Sequence, residues 1–138
     1  MALELYMLGL VVQDMGKSLA FYRRLGLAIP DGSEDKTHVE IKMGSGLTFF
    51  LDSNPARWDP WVVRRDESGQ MAESNNYPSV LEFYLQTQDA VEAKYAELTG
   101  QGYQGFRAPY ATSFGMCFAM VKDPDDNTIL LSGDQKAS

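Results

Sequence analysis

Residues 8–27 read LGLVVQDMGKSLAFYRRLGL, and this stretch decides the fold. Leu8, Leu10 and Val12 alternate with Met7, Gly9 and Val11, the period of a strand with two distinct faces. Asp14 stands where a helix cap stands, its carboxylate placed to accept a first-turn N–H. Met15, Leu19 and Tyr22 then share one helical face, and Gly26 suits the position just past a helix end.

A looser copy follows at residues 81–102, LEFYLQTQDAVEAKYAELTGQG. VLEFYLQ reads as its strand, and Asp89 precedes Glu92 by three residues, the spacing of a capping box. Val91, Tyr95 and Leu98 form the buried stripe, ended by Gly100 to Gly102. Two copies of one strand–helix unit in 138 residues point to a duplicated module.

Working outward, IPDGSEDK is rich in turn residues and HVEIKM alternates polar with apolar. After the tight turn of Gly44 to Gly46, LTFFLD resumes as a fourth strand, so residues 1–52 are expected to form a βαβββ module. In the second half, Tyr103 to Phe106, Met116 to Val121 and Thr128 to Leu131 supply three strands. DPDDN makes the last hairpin, where Pro fixes φ and Asp and Asn tolerate tight turns. Residues 79–138 thus form a second βαβββ module, and the fold class is α+β.

Between the modules, residues 53–78 are polar, hold Pro55, Pro60 and Pro78, and show no period. Loops longer than about 12–15 residues are uncommon and often functional. Trp58 and Trp61 lie in this linker, where they either meet a ligand or pin the segment to the body.

Composition narrows the function. With 44% hydrophobic and 22% charged residues the chain is an ordinary globular protein. A net charge of −7 disfavours nucleic acid, whose phosphates need Lys and Arg. It favours cationic or neutral ligands, besides serving solubility. The single cysteine, Cys117, forbids an intrachain disulfide and points to a reducing cytoplasm. It sits in the apolar run MCFAMV as a packing residue. Glu4 and the lack of a basic leader argue against a signal peptide. No apolar run reaches the ~20 residues that span a bilayer, so no membrane contact is expected.

DMGKSLAFYRRLGL after a strand, its echo ending in a Gly-containing turn, and a last strand introduced by DPDDNTILL form a pattern. It resembles the vicinal oxygen chelate superfamily, the glyoxalase/bleomycin-resistance/dioxygenase fold, over residues 8–131. The resemblance implies two βαβββ modules whose sheets curl around a cup, usually stabilised by homodimerisation. It also implies, in metal-dependent members, one ligand on the first and one on the last strand of each module.

The family's first-strand His stands seven residues before the capping Asp; that count gives Met7 from Asp14 and Glu82 from Asp89. The last-strand Glu falls at Thr48 and Leu130. Of these four only Glu82 is a good ligand, whereas a catalytic divalent metal needs about three His, carboxylate or thiolate donors. The reading is therefore a site without metal or other cofactor. DPDDN is no calcium loop either, because Thr128 and Asp134 occupy the places of the loop's Gly and bidentate Glu. The sole histidine, His38, either stands exposed at a strand end or approaches Glu40 and Glu82.

Alternation assigns the faces without the family. Leu8, Leu10 and Val12 pack under the helix, leaving Met7, Gly9 and Val11 toward the cup. Likewise His38, Glu40 and Lys42 face away from the core, as do Glu82, Tyr84 and Gln86. Thr48 and Phe50 face inward on their strand, and Leu130 on the last. The expected ligand-binding residues are thus Met7, Glu40, Thr48, Phe50, Glu82, Tyr84 and Leu130, with Trp58 from the linker and Phe114 from the loop PYATSFGM. Aromatic walls beside carboxylates suit a flat aromatic or cationic organic molecule. The bland alternative is that Phe50 and Leu130 simply fill the cup. Three functions are carried forward: a metal-free binding protein of the bleomycin-resistance type, with antibiotic resistance as one use; a lyase, isomerase or dioxygenase of the same superfamily; and a regulatory or immunity protein keeping only the fold.

Overall fold

A computed structural model of the protein describes residues 5–54 and 79–137. The chain divides into two compact units between Gln70 and Met71. No helix among the described residues is long and apolar enough to cross a membrane.

In the first unit β1 (Met7–Val11) leads through the Asp14 cap into α1 (Met15–Leu25). The Asp14 carboxylate accepts the Lys17 N–H at 3.0 Å, as its position in the sequence requires. Gly26 closes α1 with its N–H on the Tyr22 carbonyl at 3.1 Å. β2 (His38–Lys42) and β3 (Thr48–Asp52) follow as a hairpin. Sheet order is β1-β3-β2, with β1 parallel and β2 antiparallel to β3. The turn-rich stretch IPDGSEDK holds a single 3-10 turn, Ser33–Asp35, and only two strands follow α1 in this unit. The first unit is therefore βαββ among the described residues. Pro30, Asp31 and Gly32 favour a turn, and Ser33 Oγ donates to the Pro30 carbonyl at 2.7 Å.

The second unit keeps the full pattern: β4 (Leu81–Thr87), α2 (Gln88–Gly100), β5 (Gly105–Ala111), β6 (Met116–Lys122) and β7 (Thr128–Asp134). Its sheet order is β4-β7-β6-β5, parallel only between β4 and β7. The α2 cap is Thr87, whose hydroxyl accepts the Ala90 N–H at 3.1 Å. Asp89, expected as the cap, lies in the first turn and pairs with Lys136 at 2.6 Å. A bulge in β4, with Gln86 at φ 79°, shifts the start of the helix relative to the strand.

Each sheet has one face under its helix. In the first unit, Leu8–Phe49–Ile41 and Leu10–Leu51–Val39 are rungs of that face. Tyr22 of α1 meets Phe49 edge-on at 5.5 Å, and Leu19, Phe21, Tyr22 and Leu51 are fully buried. In the second, Ile129, Leu131, Val121 and Ala119 lie with Val91 and Leu98 of α2 in the core. Each such large side chain stabilises the fold by about 1.5–3 kcal/mol. Tyr95, expected in the same stripe, is half-buried. Cys117 is a core residue, as its apolar surroundings in the sequence require.

Candidate functional site

The faces opposite the helices carry the chemistry, and the strand registers arrange each into rungs. In the first unit these read Met7–Thr48–Lys42, Gly9–Phe50–Glu40 and Val11–Asp52–His38. Alternation therefore assigns Met7, Thr48, Phe50 and Glu40 to one face, and the ladder brings them side by side.

His38 organises this face. Its Nδ1 lies 2.8 Å from Asp52 Oδ2 and its Nε2 3.0 Å from Glu40 Oε2. Both ring nitrogens point at carboxylates, so the geometry suits imidazolium with two donors. The Glu40 hydrogen bond, then the Asp52 one, raise its pKa above the ordinary histidine value, against the opposing pull of desolvation. The Asp52 side chain is wholly buried, and its second oxygen accepts the Asn54 N–H at 2.7 Å. Phe50 lies against the imidazole with centroids 5.0 Å apart. His38 is thus not simply exposed, and Glu40 is one of its two carboxylate partners, as one of the readings expects. Its second carboxylate is Asp52.

Asp52 was not among the expected site residues, although the signal was present. A hairpin centred on Ser45 pairs residues symmetrically about it, and His38 and Asp52 are the third such pair on the open face.

In the second unit the open face reads Lys122–Thr128, then Glu82–Leu130–Met120, then Tyr84–Ser132–Phe118–Tyr110. Glu82 accepts the Ser132 hydroxyl at 2.8 Å. Tyr84 is 55% exposed and its hydroxyl bonds to Asp134, which raises its pKa. Leu130 is buried between Glu82 and Met120 on the ladder. Phe114, in the β5–β6 turn, meets Phe118 edge-on at 5.7 Å, and Tyr110 meets the same ring at 6.1 Å. Trp58 lies outside the described residues.

The ladder also corrects the register used to compare the modules. Lys42 opposes Thr48 in one hairpin and Lys122 opposes Thr128 in the other, each pair six residues apart. On that scale Leu130 corresponds to Phe50, not Thr48. Glu82, the β4 partner of Leu130, corresponds to Gly9, the β1 partner of Phe50, rather than to Met7. The displacement follows from counting back from Asp89 when Thr87 is the cap.

These residues do not fit a divalent metal. Thioether, hydroxyl and isobutyl groups stand at three of the four expected ligand positions, and the carboxylate at the fourth is bonded to Ser132. His38 has each nitrogen committed to a carboxylate. Among the described residues no three His, Cys, Asp or Glu side chains converge to hold an ion. DPDDN is a structural turn: Asp123 accepts the backbone N–H groups of Asp125 and Asn127 at 2.9 Å and 2.8 Å and the Asn127 side-chain amide at 2.9 Å.

Solved structures share the architecture. A glyoxalase-related enzyme from Fulvimarina pelagi matches with a TM-score of 0.73 at 18% identity, over 95% of this chain and 88% of its own. A glyoxalase/bleomycin resistance protein/dioxygenase family enzyme from Burkholderia phytofirmans PsJN gives 0.71 at 18% identity, over 96% and 99%. A hypothetical protein from S. aureus gives 0.68 at 23% identity, over 96% and 94%. No curated protein matches the sequence. The family model described as Glyoxalase/Bleomycin resistance protein/Dioxygenase superfamily matches residues 5–131. With the fold and nearly the whole sequence in agreement, this chain belongs to the glyoxalase/bleomycin resistance protein/dioxygenase superfamily.

Proposed function

We propose that this chain is a metal-independent binding member of its superfamily, of the bleomycin-resistance kind, that holds a small organic molecule against an open sheet face. The observation that carries this reading is the donor chemistry: Met7, Thr48 and Leu130, three of the four positions where the family resemblance implies metal ligands, offer thioether, hydroxyl and isobutyl groups, and the fourth, Glu82, is bonded to Ser132. The aromatic row of Tyr84, Phe118 and Tyr110, with Phe114 beside it, supplies apolar contact area. A few polar groups amid apolar surface is the usual composition of a small-molecule site. Assembly as a homodimer, which the family resemblance implies, is part of the proposal.

A second reading, proton transfer in a lyase or isomerase of the superfamily, is favoured by one observation. A buried carboxylate, Asp52, orients the His38 ring through Nδ1, and Nε2 shares its proton with the part-exposed Glu40 carboxylate, an arrangement from which a proton can pass between the pair and a substrate.

Metal analysis of protein purified without chelator tests the first reading: we expect substoichiometric metal. One Ni, Zn, Fe or Mn per chain would overturn it. A thermal-shift screen of aromatic and glycopeptide ligands should give stabilisation that is lost in Glu82→Gln or Tyr84→Ala. Light scattering should report a dimer.

A further inference from the structure

The open face of the second unit changes character along its length. At one end Lys122, Thr128, Met120 and Leu130 are buried. At the other, Tyr84, Tyr110 and Phe114 are 55%, 42% and 68% exposed. Single exposed apolar side chains are ordinary, but three large rings gathered at one end of one face mark a binding surface.

Register and turn geometry gather them. Tyr84 and Tyr110 end the rung that runs through Ser132 and Phe118. The Gln135 N–H donates to the Gly115 carbonyl at 3.0 Å, which holds the β5–β6 turn, and Phe114 with it, beside the end of β7. Phe114 and Tyr110 both meet the Phe118 ring edge-on. Ser132 is fully buried, so the surface on offer is the rings and not the sheet under them.

Carboxylates bracket the rings on the β4–β7 side. Asp134, exposed at the end of β7, accepts the Tyr84 hydroxyl. The β4 bulge shapes this corner. With Gln86 as the extra residue at φ 79°, Thr87 takes the place opposite Asp134 and turns its hydroxyl to the Ala90 N–H. Glu82, also exposed, stands one rung the other way. Two described cations come near, and both are engaged. Lys136 pairs with Asp89 of α2 at 2.6 Å. Arg107 shares the Glu82 rung but at its β5 end, three strand spacings or about 14 Å away. Its guanidinium lies over Phe106, with Nη1 donating to the Phe106 carbonyl at 2.8 Å.

The face of an aromatic ring carries the negative part of its quadrupole and attracts a cation, and a carboxylate beside it adds to that pull. The same groups repel an anion. The whole chain has the same sign, with 19 Asp and Glu against 12 Lys and Arg.

We propose that Tyr84, Phe114 and Asp134 receive the alkylammonium group of a small organic ligand, with Tyr110 and Phe118 extending the aromatic platform. This rests on the small-molecule reading above and fixes the sign of that ligand's charge.

NMR titration with benzyltrimethylammonium, benzyl alcohol and benzoate tests the proposal on the wild-type chain, Asp134→Asn and Phe114→Leu. Asparagine still accepts the Tyr84 hydroxyl but removes the charge, and leucine keeps apolar contact but removes the quadrupole. We expect the ammonium to bind wild type about fivefold or more tightly than benzyl alcohol or benzoate. Each variant should weaken that binding about threefold or more. Ammonium binding unchanged in both variants would overturn the proposal. Benzyl alcohol or benzoate binding as tightly as the ammonium would overturn it too, leaving the small-molecule reading intact. Binding of none of the three would overturn it, while the wider ligand screen would still judge the small-molecule reading. A wild-type dimer that becomes monomeric in Phe114→Leu by light scattering would assign the rings to a second copy of the chain, and so would also overturn it.

Discussion

His38 Nδ1 stands 2.8 Å from Asp52 Oδ2, and the two residues oppose one another on the β2–β3 ladder. This pairing, with Glu40 on the other nitrogen, raises the folded-state pKa of His38. The unfolded chain binds that proton only below about pH 6.5. The stabilisation is therefore fully present below that pH and is lost as pH rises through the higher folded value. Urea titrations at about pH 6 and pH 9 should show the advantage of wild type over His38→Gln shrinking at the higher pH. His38 is the only histidine, so its ring proton resonance can be followed directly. Its midpoint should lie above the ordinary value and drop in Glu40→Gln and in Asp52→Asn; a midpoint at or below that value would break the argument.

Phe50 lies across the backbone of Gly9, where a β-carbon would overlap the ring. Gly9→Ala must push that ring aside and disturb its contact with His38. We expect a loss of about 1–3 kcal/mol by chemical denaturation, as for other overpacking changes. Phe50→Leu in the same chain should recover part of it. If the double variant is no more stable than Gly9→Ala alone, the ring is not the obstacle.

Gly133 faces a harder neighbour. A β-carbon there would lie 2.5 Å from the Thr87 carbonyl oxygen, beside the β4 bulge. Backbone held in a sheet yields less than a ring, so Gly133→Ala should cost more than Gly9→Ala. Equal melting temperatures for the two variants would contradict this ranking.

Thr87 caps α2 and Asp89 does not. Thr87→Ala should therefore destabilise by about 1 kcal/mol. Asp89→Ala loses only an exposed ion pair to Lys136 and a favourable charge near the helix start, and should cost less than Thr87→Ala. The order of the two urea midpoints decides between the caps.

Cys117 is buried, and desolvation raises its thiol pKa. Alkylation by iodoacetamide should be slow in native protein and fast in urea, since the thiolate is the reactive form. Rapid labelling under native conditions would identify a reactive cysteine in place of a core residue.

The sequence by itself determined the two strand–helix units, the Asp14 cap, the buried stripe of α1 and which strand residues share a face. Each of these is local: period two, period 3.6 and cap chemistry operate within a few residues. The donor types at Met7, Thr48, Glu82 and Leu130 are legible there too, because donor chemistry is a property of residue type. Tertiary structure decided what the open faces do with those residues. The partner of His38 depended on hairpin register, the correspondence of Glu82 on the β4 bulge and the true α2 cap, and the burial of Lys122 on its three-dimensional surroundings. Lys42 and Lys122 make the point most directly: the same residue pair at the same spacing is a solvated rung in one hairpin and a buried cation in the other. Spacing sets which side chains meet, but the surrounding dielectric sets what their charge costs, and only the fold determines that environment.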